Sequence, residues 1–173
     1  MVKGCLRAAG NATLFVPMMN DTANDITLAR ELANEAGALL VALRGANTHQ
    51  STALGDVGDA RANEFLLACL AALRPNDAVL SEESADDRSR LNAERVWIID
   101  PLDGTREYRE GRDDWAVHVA LISRGAVIAA AVSQPSRGDV FDSLPASLPE
   151  VQQRKIVISR SRRRSSRRAS RRP

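Results

Sequence analysis

Apolar residues repeat at helical spacing in two segments of the first half of the chain. The first segment follows Asn24–Asp25, which offers an N-cap, and it ends at Gly45. The second segment runs from about Asp59 to Leu73 and is closed by Pro75. Residues 46–58 between them are polar and contain two glycines, so we predict a loop there. The pattern therefore predicts two amphipathic helices joined by a loop.

Short apolar runs dominate the second half of the chain and predict strands. Two of these runs are joined by Arg124–Gly125, which indicates a β-hairpin. The charged segment 85–94 is expected to be a surface turn or a short helix. Helices followed by strands predict an α+β fold with helices against one sheet. The predicted strands are residues 78–81, 96–100, 115–123, 126–133 and 139–142.

Two of the predicted strands end in acidic residues. One ends at Ser81 and is followed by Glu82 and Glu83, and the other delivers Asp100 and then Asp103. Pro101 is expected to force a turn that lets both aspartates face one ion. Mg²⁺ prefers oxygen ligands and leaves room for water and substrate phosphate.

Backbone groups beside the two aspartates extend this predicted site. The carbonyl of Leu102 lies between Asp100 and Asp103, and Gly104–Thr105 opens a helix or turn whose N–H groups suit a phosphate. The Thr105 hydroxyl can hold a water. Each acidic motif alone is better explained as a solvated turn or surface segment. Their occurrence together at two strand ends favours a metal site.

Composition separates the chain into an acidic body and a basic end. Residues 1–153 carry 14 basic and 22 acidic side chains, a net charge of −8, whereas residues 154–173 carry 10 basic side chains and no acidic one. The two cysteines suggest no disulfide framework, and no apolar run is long enough to cross a bilayer. We therefore expect a cytoplasmic protein without membrane contact, and Cys69 is expected in the core.

The motif from Ser81 to Ser84 together with Trp97–Thr105 resembles the signature of the inositol monophosphatase superfamily, which consists of magnesium-dependent phosphatases. The following Arg106–Tyr108 is similar to the CysQ-like branch, the 3′(2′),5′-bisphosphate nucleotidases, as is Gly111–Leu121. The resemblance covers roughly residues 25–142. It implies a mostly antiparallel sheet with two packed helices, forming the N-terminal half of a layered αβαβα sandwich of the inositol monophosphatase and fructose-1,6-bisphosphatase type.

The resemblance also implies roles for individual residues. Glu82, Asp100, Asp103 and the Leu102 carbonyl look like ligands of two or three Mg²⁺ ions. Thr105 matches the residue that orients the attacking water, Asp59 its aspartate partner, and Glu83 a further residue near the metals. Backbone groups of Gly104 and Thr105 would contact the phosphate. Arg106 is a candidate substrate contact, although a solvated loop explains it equally well. His118, Trp97 and Trp115 are expected to be structural.

The implied reaction is Mg²⁺-dependent hydrolysis of the 3′-phosphate of 3′-phosphoadenosine 5′-phosphate to give AMP. The alternatives are an inositol monophosphatase or fructose-1,6-bisphosphatase, and a non-catalytic remnant whose tail binds nucleic acid or other anions non-specifically. The substrate is expected to be a small phosphorylated molecule, adenosine 3′,5′-bisphosphate or a sugar or inositol phosphate, and a homodimer is left open.

The C-terminal half of the superfamily, with a further metal-binding aspartate, is not evident in the sequence. We expect a poorly ordered leader over residues 1–22, an incomplete phosphatase domain over residues 23–143, and a linker with a disordered Arg/Ser tail over residues 144–173. Residues 155–159 look like the start of the second half. A frameshift or truncation would explain the tail and would weaken activity. Reading the other frames past codon 160 tests this hypothesis.

Overall fold

Two long helices pack against one face of a five-stranded sheet. The computed structural model describes residues 22–46, 51–86 and 88–143 of the chain. The predicted leader, linker and Arg/Ser tail lie outside these residues, as do Cys5 and His49, and the predicted domain boundaries stay predictions. The helices and strands are α1 Thr22–Gly45, α2 Ser51–Leu73, β1 Ala78–Ser81, β2 Arg95–Asp103, α3 Thr105–Arg109, β3 Ala116–Ser123, β4 Ala126–Gln134 and β5 Asp139–Asp142, with short 3₁₀ turns at Ser89–Asn92 and Pro135–Arg137.

The strands lie in the order β1-β2-β3-β4-β5. Strands β1 and β2 are parallel, and the remaining neighbours are antiparallel. The predicted α+β class, the mostly antiparallel sheet and the two packed helices are therefore confirmed. The predicted hairpin is confirmed as well, and its tight connection places Arg124 at φ 50° and Gly125 at φ 79°.

Strand β2 is longer than predicted, and Pro101 does not make a turn. The strand runs on to Asp103, and its pairing with β3 shifts between Asp100 and Asp103. Proline lacks a backbone N–H, and within sheets it is tolerated at such irregularities. The expected turn is therefore replaced by a bulge that still brings both aspartates to one edge.

The predicted loop over residues 46–58 is wrong from Ser51 onward, because α2 begins there rather than at Asp59. Its glycines serve helix packing. A Cβ at Gly55 would lie 2.8 Å from Cγ2 of Thr105, and one at Gly58 would lie 3.1 Å from the Tyr108 ring. The small residues allow the first turns of α2 to approach α3 closely.

The predicted N-cap at Asn24–Asp25 is also wrong, because α1 begins at Thr22. Asp25 lies in the first turn of α1, and its carboxylate is almost completely buried. It accepts hydrogen bonds from Arg74 at 3.0 Å and Arg95 at 2.9 Å. Arg95 and the indole N–H of Trp97 in turn donate to Asp77. This network joins the start of α1, the end of α2 and the start of β2.

The hydrophobic core lies between the helices and one face of the sheet. Period-two alternation along the strands sends every second residue toward the helices. Cys69, Trp97 and Trp115 are buried as predicted. The other sheet face includes the exposed side chains of Val127 and Phe141. In the described part of the chain no helix is long and apolar enough to cross a membrane.

Candidate metal and phosphate site

The acidic residues predicted from two strand ends meet at one edge of the sheet. Strands β1 and β2 are parallel, and Ser81 lies opposite Ile99. The backbone N–H of Glu82 donates to the carbonyl of Ile99 at 3.2 Å, which extends the pairing by one step. Glu82 therefore lies beside Asp100, close enough for its charge to raise the pKa of Asp100.

A polar network fixes the turn that follows β1 against α2. The Ser81 hydroxyl donates to the Asn63 carbonyl oxygen at 2.7 Å, and the Asn63 amide donates to the Ser84 hydroxyl at 3.1 Å. The backbone N–H of Glu83 donates to the Ser81 hydroxyl. The position of Glu82 and Glu83 relative to α2 is thus set by hydrogen bonds that do not involve their own carboxylates.

Asp100, Asp103 and His118 form a compact group of ligand atoms. One atom from each side chain lies within 4.8 Å of the others, so the group could hold a metal ion. Nε2 of His118 lies 3.2 Å from Oδ2 of Asp103. Asp100 is directly opposite His118 in the β2–β3 pairing, so the two side chains share a sheet face.

The pKa values of the two aspartates move in opposite directions. Burial raises the pKa of Asp100 to about 7, and the charges of Glu82 and Asp103 add to this effect. The hydrogen bond with His118 lowers the pKa of Asp103. Crowded carboxylates are costly at neutral pH, and His118 offsets their repulsion at Asp100 only in part. This edge therefore favours a cation.

Thr105 lies between two acceptors. Its hydroxyl is 3.0 Å from Oδ2 of Asp59 and 3.1 Å from the carbonyl oxygen of Leu102. A hydroxyl carries one hydrogen, so Thr105 donates to Asp59 or to Leu102 at any one time, and donation to Asp59 opposes the rise in the pKa of Asp59. Burial is the main cause that raises the pKa of Asp59 to about 6, and the charges of Glu83 and Glu82 contribute.

The short helix α3 is anchored so that Thr105 is held in place. Gly104 has φ +86°, and a Cβ there would lie 3.2 Å from the Asp114 carbonyl oxygen. Tyr108 is fully buried, and its hydroxyl donates to the Leu40 carbonyl of α1 at 2.7 Å. Its ring meets Trp115 edge-on at 5.0 Å. Arg106 is exposed and pairs with Glu110 at 2.9 Å, so substrate contact by Arg106 stays a prediction.

A cavity of about 540 Å³ opens next to the acidic edge, between α2 and the turn after β1. Asp59 and Glu83, both predicted site residues, lie in its wall. The cavity is lined by Asp56, Asp59, Ala60, Asn63, Glu64, Leu67 and Glu83.

Comparison with known proteins identifies the family of this chain. The inositol monophosphatase family model matches residues 21–167, and the chain belongs to that family. It is 53% identical over 126 residues to a 3′-phosphoadenosine 5′-phosphate phosphatase of Mycobacterium leprae, covering 66% of this chain and 46% of the relative. The chain thus spans about half the length of the curated relatives it matches.

Solved structures share the fold. Mycobacterium tuberculosis SuhB is 28% identical with a TM-score of 0.61, covering 72% of this chain and 46% of that one. CysQ from Bacteroides thetaiotaomicron is 22% identical with a TM-score of 0.65, covering 74% and 48%. The predicted superfamily and its layered fold are confirmed.

The sequence did not predict that His118 lies at this site. It was expected to be structural, yet it contacts Asp103. The signal was available in the alternation of β3, where Val117 and Val119 are buried and His118 points to the opposite face. Only the pairing register places that face beside Asp100.

Asp59→Asn is expected to stabilise the metal-free protein at pH 8 and to have little effect at pH 4. Because the folded-state pKa of Asp59 is raised, folding favours its protonated form. Stability is therefore lost as pH rises from about 4 through about 6. The gain at pH 8 should be about 1–3 kcal/mol. Urea unfolding at both pH values measures it, with the exposed Glu94→Gln as control, and an equal gain at both pH values would contradict the assignment.

Proposed function

We propose that the chain is the N-terminal half of a Mg²⁺-dependent phosphatase that removes the 3′-phosphate of 3′-phosphoadenosine 5′-phosphate to give AMP. The observation that carries the proposal is the convergence of Glu82, Asp100 and Asp103 at neighbouring strand ends, beside Thr105 and Asp59. The 53% identity to relatives named as phosphatases of that nucleotide supports the substrate. The buried thiol of Cys69 is compatible with a cytoplasmic protein.

The residues at this edge fit Mg²⁺, which takes oxygen ligands. Glu82, Asp100, Asp103 and the Leu102 carbonyl would hold it, since a carbonyl oxygen has a second lone pair beyond the one that Thr105 occupies. When bound, Mg²⁺ lowers the pKa of a water and neutralises phosphate charge. The raised pKa of Asp100 indicates that the charge of its carboxylate is poorly compensated by the neighbouring side chains.

The residues of the chain itself position the water and move its proton. Thr105 is held between Asp59 and Leu102, so its oxygen can accept a hydrogen bond from the attacking water. With a pKa of about 6, Asp59 is mostly ionised at neutral pH and can receive a proton through Thr105. Backbone groups of Gly104 and Thr105 would contact the phosphate. Arg106 would contact substrate from an exposed position in which its Nε pairs with Glu110.

Phosphate release by the 173-residue chain tests the proposal. We expect Mg²⁺-dependent release from adenosine 3′,5′-bisphosphate that exceeds release from inositol 1-phosphate and fructose 1,6-bisphosphate. Preference for either of the latter would favour the alternative enzymes. No release from any substrate, with or without Mg²⁺, would overturn the proposal for this chain. The homodimer and the anion-binding tail stay predictions.

Thr105→Val is expected to lower kcat by about 100-fold, because the variant lacks the hydroxyl that accepts a hydrogen bond from the attacking water and passes its proton to Asp59. Thr105→Ser keeps the hydroxyl and should retain most of the activity. The affinity for Mg²⁺, measured by calorimetry, should change little in both variants. Equal activity of the Val and Ser variants would show that the hydroxyl does not act on the water.

A further inference from the structure

His118 extends the acidic edge with a nitrogen ligand. Its Nε2 lies 3.2 Å from Oδ2 of Asp103, and one atom each of Asp100, Asp103 and His118 lies within 4.8 Å of the others. Two ligands bonded to one ion at about 2.1 Å, at tetrahedral or octahedral angles, lie roughly 3.0–3.4 Å apart. The separation of His118 and Asp103 therefore fits a shared ion without movement of the backbone.

The sheet provides the rigidity that such a site needs. Asp100 and His118 are paired across β2 and β3. Asp103 follows the bulge, which changes the direction of β2. The His118 side chain is 40% exposed and that of Asp103 is 60% exposed. An ion could enter from solvent and keep positions for water, as catalytic metal sites with three protein ligands do.

The edge thus contains two different sets of ligands. Glu82, Asp100, Asp103 and the Leu102 carbonyl offer only oxygen, which suits Mg²⁺. The second set shares Asp100 and Asp103 with the first and adds the imidazole of His118. Imidazole favours transition metals such as Zn²⁺ over Mg²⁺.

We propose that Asp100, Asp103 and His118 form a mixed nitrogen and oxygen site that binds a divalent transition metal, Mn²⁺ or Zn²⁺, through Nε2 of His118. The site shares Asp100 and Asp103 with the oxygen ligands proposed for Mg²⁺. The proposal rests on the proposed cation binding at this edge but not on phosphatase activity.

Metal binding to wild type and His118→Asn by calorimetry tests the proposal, using Mg²⁺, Mn²⁺ and Zn²⁺ separately. We expect the variant to lose at least about tenfold in Zn²⁺ affinity, and less than about threefold in Mg²⁺ affinity, because Mg²⁺ does not depend on the imidazole. Far-UV circular dichroism and urea unfolding establish that the variant folds. Equal losses for Zn²⁺ and Mg²⁺ would overturn the proposal, because they would show that His118 only hydrogen-bonds Asp103.

Electron spin echo spectroscopy of bound Mn²⁺ gives a readout that does not depend on turnover. We expect nitrogen coupling in wild type and its loss in His118→Asn. The matched control is His49→Asn, which removes the other histidine of the chain and should keep the coupling. Coupling that persists without His118, or disappears without His49, would overturn the assignment. An inactive chain that still shows nitrogen coupling would refute the proposed phosphatase function while leaving this metal site supported.

Discussion

Asp100→Asn is expected to abolish most of the divalent-cation binding of this protein. Asp100 is adjacent both to Glu82 and to the pair formed by Asp103 and His118. Its loss removes a ligand that both parts of the edge share. Substitution of a residue that only supports a metal ligand typically lowers metal affinity by roughly 10–100-fold. Because Asp100 is a proposed direct ligand, we expect the affinity for Mg²⁺ and Mn²⁺ to fall by more than that. Thermal shift and calorimetry with each metal measure the loss.

The raised pKa of Asp100 also makes cation binding depend on pH. Because the pKa of Asp100 is raised to about 7, a cation must displace a proton from it below that pH. The apparent affinity of wild type should rise by up to about tenfold per pH unit between pH 5 and pH 7 and then level off. The variant has no carboxyl group at this position, so its residual binding should depend less on pH.

The same pKa predicts the stability of the variant. Folding disfavours the ionised form of Asp100, so the metal-free wild type loses stability as pH rises from about 4 through about 7. Asp100→Asn should therefore unfold no more readily than wild type at pH 8. Glu94→Gln at the far end of β2, where Glu94 makes an exposed pair with Arg124, is the control and should bind metal normally. Unchanged metal affinity in Asp100→Asn would disprove the assigned site.

The strands were predictable because each carries a local signal that its tertiary environment reinforces. The hairpin is marked by two apolar runs around Arg124–Gly125. The short apolar run that starts at Ala78 and ends before Ser81 predicts the bounds of β1. Both acidic motifs directly follow buried strand residues. That arrangement let the sequence predict which carboxylates converge.

The start of α2 and the role of His118 depend on contacts distant in sequence. Gly55 and Gly58 favour a loop in isolation, but in the fold they allow α2 to pack on Thr105 and Tyr108. Tertiary packing here outweighs helix propensity. The proximity of His118 to Asp100 depends on the pairing register between β2 and β3. A single strand pattern does not specify that register.

Asp25→Ala is expected to destabilise the protein by about 3–5 kcal/mol, the usual effect of removing one partner of a buried ion pair. The Asp25 side chain is 3% exposed, and its two oxygens accept from Arg74 and Arg95. Without the carboxylate, two guanidinium groups at about 20% exposure lose a counter-charge. Arg95 keeps Asp77, so Arg74 should account for much of the loss.

Urea unfolding of Asp25→Ala and Asp25→Asn separates charge from hydrogen bonding. The Asn variant keeps one acceptor oxygen and should lie between wild type and Ala. Glu94→Ala removes an exposed ion pair and should cost no more than about 1 kcal/mol. Equal, small effects of Asp25→Ala and Glu94→Ala would mean that the network does not stabilise the fold. A large effect of Asp25→Ala would show that this network supports the fold at the end of β2 opposite the proposed metal site. Stability there does not compete with the crowded carboxylates of that proposed site.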